Sequence, residues 1–236
     1  MARSPIWRAI ADTLTAEIAR AHYAPGDRLP TEAELADRFG VNRHTVRHAL
    51  AALTDQGLIH TRRGSGAFVA ARPADYALGR RTRFHQNLAA AGRNPARDIT
   101  RRQNRPADAG EAAALNLQPG DAVHVIEGVS TADGVPMAAF RSVFPAAQLP
   151  GLLARLTQTS SITEALVAEG VADYTRATTR LTAIAAPATL ALLLRLPEAA
   201  PLLRSTSVNI DPQGRPLEFG TTWFAGDRVT LTVTPD

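Results

Sequence analysis

The chain has 236 residues, 45% of them hydrophobic and 20% charged, with a net charge of +4 at pH 7; this is enough for two modest domains that each bury a core. It contains no cysteine, which excludes disulfides and thiolate-bound zinc, and no apolar run of roughly 18 residues, which excludes a membrane-spanning helix. The charge is uneven: residues 1–72 hold 10 Arg and 7 acids, residues 73–105 hold 8 and 2, and residues 106–236 hold 8 and 13, so the three parts carry +3, +6 and −5. All 26 cationic side chains are arginine. Positive charge on the first two parts suits a polyanionic partner. The N-terminal MARSPIWRAIADTL lacks the long apolar region of a secretory signal, so residence in the cytoplasm is expected.

Residues 5–21 place Ile6, Ile10, Leu14 and Ile18 four apart, one stripe of a helix, with Pro5 where its missing N–H costs nothing. A turn punctuated by Pro and Gly, YAPGDRLP, follows at 23–30. Thr31 and Glu34 have capping-box spacing, Leu35 and Phe39 give the next helix an apolar face, and Gly40 can supply the left-handed residue that stops it. Asn42 caps a further helix in which Val46, Leu50 and Leu53 recur at helical spacing. Helix, Gly turn and second helix make a helix-turn-helix, whose second helix enters the major groove of double-stranded DNA. Its exposed early positions are Arg43, His44, Thr45 and Arg47, types that bind phosphates and, for arginine, read guanine edges. His44 and His48 have a spacing that two metal ligands can use, but no Cys or acid completes a site, and no metal or cofactor is expected. Strands over 58–62 and 67–70 then flank Gly64-Ser65-Gly66 as a wing, with Arg62 and Arg63 beside the tip.

The landmarks LPTE, TVR-AL, QGL and GSG-FV, taken together over residues 5–70, resemble the winged helix-turn-helix of the GntR family of bacterial transcription regulators. The resemblance implies DNA contacts by Arg28, Arg43, Thr45 and Arg47, with Gly66 at the wing tip and Asn42 where serine is commoner. The expected organisation is a winged helix-turn-helix domain over residues 1–72, an Arg-rich linker over 73–106, and an effector-binding and dimerisation domain over 107–236. A short helix from Phe84 to Ala91 can form inside the linker and end at Gly92.

From Asp108 the pattern changes. Asp108 and Glu111 cap a short helix, and strands over 122–130 and 135–144 flank the turn at Ala132-Asp133-Gly134. Helices are expected over 149–156 and 162–169, the latter capped by Ser160 or Ser161 and stopped by Gly170. A strand over 173–185, a helix over 187–196, a hairpin of 202–210 and 217–224 around DPQG, and a last strand at 229–233 complete the chain. Strands and helices mix without regular βαβ alternation, so the expected fold class is α+β with an antiparallel sheet.

The order of LQPGDAVHVIEG, DGVPMA, SSITEAL, DPQGRPLEF and GDR resembles the UTRA effector domain of HutC-type GntR regulators, which has a chorismate-lyase-like fold. RFHQNL with Gly92 and Pro95 is similar to the phosphonate-metabolism (PhnF-like) regulators of that type. By position the resemblance implies an effector pocket from Arg83, Phe84, Gly128, Ser130, Phe140, Ser161, Thr163, Glu218 and Phe224. Ser161 would begin a helix, where free N–H groups favour an anion; Arg83 offers a fork of donors for phosphate or phosphonate; Glu218 can accept from a hydroxyl or amine. Sugar-phosphate sensors of this type place two arginines where Gly128 and Ser130 stand and an acid at Phe140, so a less cationic, more apolar pocket is expected.

These readings describe a homodimeric repressor released from an inverted-repeat operator by a small, anionic effector, with no membrane partner and no catalysis. Two alternatives stand beside it. The second domain could be an enzyme, since its fold is shared with a lyase, with Glu218 and Glu127 as the acid–base candidates. It could also be a dimerisation module without a ligand.

Overall fold

The computed structural model describes residues 5–62, 65–70, 73–81, 84–90 and 92–234. The chain divides into two compact units, Met1–Arg72 and Pro73–Asp236.

The first unit contains α1 (Ile6–Ala19), α2 (Glu32–Phe39), α3 (Arg43–Asp55), β1 (Ile59–Arg62) and β2 (Gly66–Val69). Its core joins Ile10 and Leu14 of α1, Leu35 of α2, Val46, Leu50 and Leu53 of α3, and Leu29, Ile59 and Val69. Ile6 was expected in the α1 stripe but is 64% exposed in the first turn, and Ala11 takes the buried place. The Thr31–Glu34 capping box forms, and Gly40 closes α2 in the left-handed region at φ 61°. The Asn42 side chain caps α3 by accepting from the Thr45 N–H at 2.8 Å. β1 and β2 pair antiparallel, Ile59 opposite Val69 and Arg62 opposite Gly66, so the hairpin follows α3 as a wing.

The second unit is built on a six-stranded antiparallel sheet in the order β4-β5-β6-β9-β8-β7. These strands are β4 (Pro95–Pro106), β5 (Ala122–Ala132), β6 (Val135–Pro145), β7 (Thr175–Ala185), β8 (Pro201–Ile210) and β9 (Pro216–Ala225). Phe140 and Phe144 of β6 meet Leu152 of α6 (Leu152–Arg155) and Ile162 and Leu166 of α7 (Ile162–Ala168). Residues of the opposite register, Val125, Val143 and Phe219, meet Leu115 of α5 (Ala109–Leu115), and Ala139 and Leu202 meet Leu194 of α8 (Ala188–Leu194). β5 and β6 are therefore covered on both faces, which explains their nearly unbroken buried runs. Outside the main sheet, β10 (Val229–Thr232) pairs parallel with β3 (Ala74–Ala77).

The expected linker over 73–106 is corrected by this architecture. That stretch holds β3, α4 (Phe84–Ala90) and β4, the last a twelve-residue edge strand of the sheet. Its arginines misled the reading, because an edge strand exposes most of its side chains: only Ile99 of β4 is buried. Tyr76, Phe84 and Leu88 pack with Phe224 in a core of their own.

Candidate functional site

The first unit presents a cationic surface built on α3 and the wing. Arg43, His44 and Arg47 are exposed on α3. Thr45 is partly committed to its own helix end, donating from Oγ1 to the Asn42 side chain at 3.0 Å. Arg47 is clamped by Glu32, the first residue of α2, through Nε to Oε1 at 3.0 Å and Nη2 to Oε2 at 2.6 Å. That hydrogen bond and the cation hold the Glu32 carboxyl below the usual carboxylate range. The backbone of Arg28 pairs with that of Phe68 in β2 as an antiparallel β-bridge. Gly66 has φ +101°, and a Cβ there would lie 3.1 Å from Arg28 Nε, so glycine is needed both for the turn and for the arginine beside it. Ser65 is exposed at the wing. Arg63, Gly64 and the side chain of Arg62, all expected at the wing, lie outside the described residues. His48 stacks on Trp7 with ring centroids 4.3 Å apart, and no cluster of three metal-binding side chains occurs among the described residues.

The second unit holds a pocket of about 590 Å³, counted to its open mouth. It opens on the sheet face covered by α7. Two arginines reach it from strands on opposite sides of the sheet, Arg97 of β4 and Arg176 of β7. The Arg97 guanidinium lies 4.6 Å from the centre of the Phe140 ring, a cation–π distance, and its Nε has no hydrogen-bond partner. Burial draws the Arg97 guanidinium below its ordinary value, with the charge of Glu218 opposing. Arg176 Nε reaches the Asn209 Oδ1 at 3.4 Å, and the Asn209 amide donates to Glu218 Oε2 at 2.7 Å. Thr163 and Tyr174 share a hydrogen bond at 3.3 Å. Tyr76 lines the wall beside Phe84, and burial pushes its phenol up to about 12.

The structure brings together Phe84, Ser130, Phe140, Thr163 and Glu218 of the expected set. Gly128 does not line the pocket but makes room for it: a Cβ there would lie 2.9 Å from the Phe140 ring and 2.1 Å from the Asp98 carbonyl oxygen. Phe224 sits beneath, its ring 5.0 Å from that of Tyr76. Ser161 is corrected to a capping role: its hydroxyl accepts from Glu164 N at 3.2 Å and its own N–H donates to Thr159 Oγ1 at 3.1 Å. Its backbone N–H is thereby spent on Thr159, and its hydroxyl oxygen serves as the cap of the seven-residue α7. Arg83 lies outside the described residues.

Sequence reading missed Arg97, Arg176, Asn209, Tyr76 and Tyr174. Arg97 was hidden in the supposed linker, because a strand with one buried residue, Ile99, shows no apolar alternation over 95–106. The expectation of a weakly cationic, apolar pocket is therefore corrected. The positive charge lost at 128 and 130 is supplied by neighbours, for Arg97 stands directly opposite Ser130 in register.

Comparison with known proteins accords with both halves. Residues 7–69 match the family described as bacterial regulatory proteins, gntR family, and residues 90–230 match the UTRA domain. The HTH-type transcriptional regulator RB1450 of Rhizobium meliloti is 37% identical over 229 residues, 97% of this chain and 94% of that protein. The probable transcriptional regulator PhnF of Escherichia coli is 32% identical over 96% of this chain and 94% of its own length. The HTH-type transcriptional repressor PhnF of Mycolicibacterium smegmatis is 30% identical over 88% and 84%. The crystal structure of PhnF from Mycobacterium smegmatis superimposes with a TM-score of 0.65 at 27% identity, covering 97% of this chain and 98% of that one. The chain thus belongs to the gntR family of bacterial transcription regulators, in the HutC, PhnF-like branch that couples the DNA-binding unit to a UTRA domain.

Proposed function

We propose that this regulator is a cytoplasmic, homodimeric repressor that holds an inverted-repeat operator and releases it when a small anion fills the pocket of the second unit. The two-fold symmetry of such a dimer matches half-sites about one helical turn apart. Arg43 of α3 reads bases or nearby phosphates, Arg47 joins it from its clamp on Glu32, and Arg28 with the wing sets the register on the backbone. The repressor sign is drawn from the M. smegmatis relative named above.

The observation that carries the effector class is the convergence of Arg97 and Arg176 on one cavity. An anion bound there would receive charge-assisted hydrogen bonds from both, while Thr163, Ser130 and Glu218 give polar contacts for the rest of a small, hydroxyl- or amine-bearing molecule. Phosphonates and phosphate esters fit this description. We read the pocket as a receptor rather than a catalytic centre, because Glu218, one of its two acid–base candidates, is held by Asn209, and the other, Glu127, pairs with Arg101 and Arg141 away from the cavity.

A thermal-shift screen of the purified protein tests the reading, with phosphate, phosphonates, sugar phosphates, histidine-pathway acids and fatty acids each at several concentrations. A dose-dependent rise with one anionic class is expected, together with release of a selected operator fragment by the same compound. A rise with fatty acids alone would overturn the anion reading. Turnover of a compound that raises the melting temperature would overturn the receptor reading.

A further inference from the structure

α3 exposes Arg43, His44, Arg47 and His48, and two neighbours on that face lean to opposite sides. Arg47 is held by Glu32 at the start of α2. His48, about 100° further round the helix, stacks on Trp7 of α1 with ring centroids 4.3 Å apart and planes inclined by 21°. The Trp7 ring in turn carries the Arg8 guanidinium 5.5 Å from its centre, within cation–π reach. Imidazole, indole and guanidinium thus form one chain of contacts from the outer face of α3 to the first turn of α1. The core does not account for it, because Trp7 is only partly buried at the rim of that core and Arg8 is exposed.

We propose that Arg8, seated on Trp7, binds a backbone phosphate of the operator on the side of the recognition helix away from α2. The inference rests on the DNA-binding reading of α3 and extends it to a second helix. The major groove is about 12 Å wide and a helix with its side chains about 10–12 Å across. A recognition helix therefore fills the groove, and each of its flanks faces one phosphate strand. The flank of Arg47 is bordered by α2. The flank of His48 is bordered by Trp7 and Arg8, which places the Arg8 cation beside the other strand.

Charge supports the assignment. Arg38 and Arg47 of the same unit are paired with Glu17 and Glu32. Arg8 has no ion pair among the described residues, and the first turn of α1 holds no acid. Its fork of donors is therefore free for a phosphate. A side chain already resting on a ring loses less freedom when it binds. Trp7 and His48 act here as positioning residues, since the stack ties Arg8 to the helix that reads the bases. A phosphate contact of this kind carries no sequence information and instead fixes the register of α3 on the duplex. His48, four residues after His44, thus has a use on the recognition helix that needs no metal.

The test is the salt dependence of binding by the full chain, measured on a selected operator fragment and on random duplex over roughly 50–200 mM salt. Arg8→Ala is expected to keep the melting temperature, to weaken both DNAs by the same factor and to lower the salt slope by about one. Arg8→Lys keeps the charge and should keep the slope. Arg20→Ala removes another exposed cation roughly 18 Å along α1, and its slope should match the unmodified protein. Ethylation interference should show a phosphate whose modification weakens the unmodified protein but not Arg8→Ala. In a Trp7→Leu background the loss on Arg8→Ala should shrink, because the platform is already gone; an undiminished loss would overturn the positioning role of Trp7. An unchanged slope for Arg8→Ala, or an equal fall for Arg20→Ala, overturns the phosphate contact and leaves α3 as the reader. An unmodified protein that binds neither DNA at low salt overturns the DNA-binding reading itself.

Discussion

The Arg97 guanidinium rests on the Phe140 ring, 4.6 Å from its centre, and the ring in turn occupies the space that Gly128 leaves open. Three residues on three adjacent strands thus form one support. Ile99 stands opposite Gly128, and Gly128 opposite Phe140, so the support is a consequence of register. Gly128→Ala would press a methyl group against the ring and the Asp98 carbonyl, both of them hard neighbours. Overpacking of this kind costs about 1–3 kcal/mol, and denaturant titration should read a loss of that size. Unchanged stability would mean that Phe140 moves aside freely and is no platform.

Arg97→Met should separate the cost of folding from the gain in binding. The Nε of Arg97 has no acceptor within the protein, so replacing it with an uncharged side chain of similar length leaves no buried partner orphaned. Stability is expected to change little. A hydrogen bond to a charged group contributes about 1.5–3 kcal/mol, so affinity for an anion that raises the melting temperature should fall between roughly tenfold and a hundredfold. Calorimetric titration of the variant checks this, and affinity equal to the unmodified protein would move the anion elsewhere in the pocket.

How far these features are visible in the sequence depends on the range of the interactions that fix them. The helix-turn-helix is set by local chemistry, Thr31 with Glu34, Gly40, and Asn42 with Thr45, and each of these is visible within a few residues. The hairpins of the second unit are equally local, around Asp133-Gly134 and the DPQG turn. β4 is different, because its partner β5 begins sixteen residues after β4 ends and its exposed arginines look like solvated coil until that partner is known. The pocket suffers in the same way. Arg97 and Arg176 are 79 positions apart in the chain, and only the strand order places both on one cavity. Positions carried over by resemblance found Phe140 and Glu218, but they could not reveal that the charge missing at Gly128 and Ser130 returns from the neighbouring strand.

Glu111 gives the second unit a defined response to acid. Its side chain is 2% exposed, where burial alone would raise its pKa. Bonds from Arg105 at 2.7 Å, from the Asp108 N–H at 3.0 Å and from Arg141 at 2.6 Å outweigh that and hold it below the usual carboxylate range. A carboxyl whose pKa is lowered on folding adds stability above its unfolded value, about 4.3, and loses it as pH falls through the folded value. Glu111→Gln should therefore lower stability at pH 7 and flatten the decline below about pH 4.3. Removing one partner of a fully buried pair costs about 3–5 kcal/mol, and less is expected here because Arg105 and Arg141 keep contact with water. Glu169, held low by Arg155 and the Gly151 N–H, contributes with the same sign, so part of the acid response should remain. Melting temperatures of both proteins from pH 3 to 7 provide the comparison, and parallel curves would remove Glu111 from the account.

The Glu32–Arg47 clamp bears on how the recognition helix discriminates between sequences. Glu32 occupies the Nε and Nη2 edge of Arg47, which leaves Nη1 to meet DNA and keeps the cation from swinging to any phosphate within reach. Freed by Glu32→Gln, Arg47 gains a phosphate contact that carries no sequence information. Affinity for random DNA is expected to rise and its salt slope to steepen by about one, while the ratio of operator to random binding falls. The same substitution also removes a negative charge near the DNA, which alone would strengthen binding. Repeating it in an Arg47→Ala background separates the two causes: if Glu32 acts through Arg47, the salt slope should no longer respond. A slope that steepens equally in both backgrounds would reduce Glu32 to simple repulsion of the phosphates and return Arg47 to an unrestrained contact.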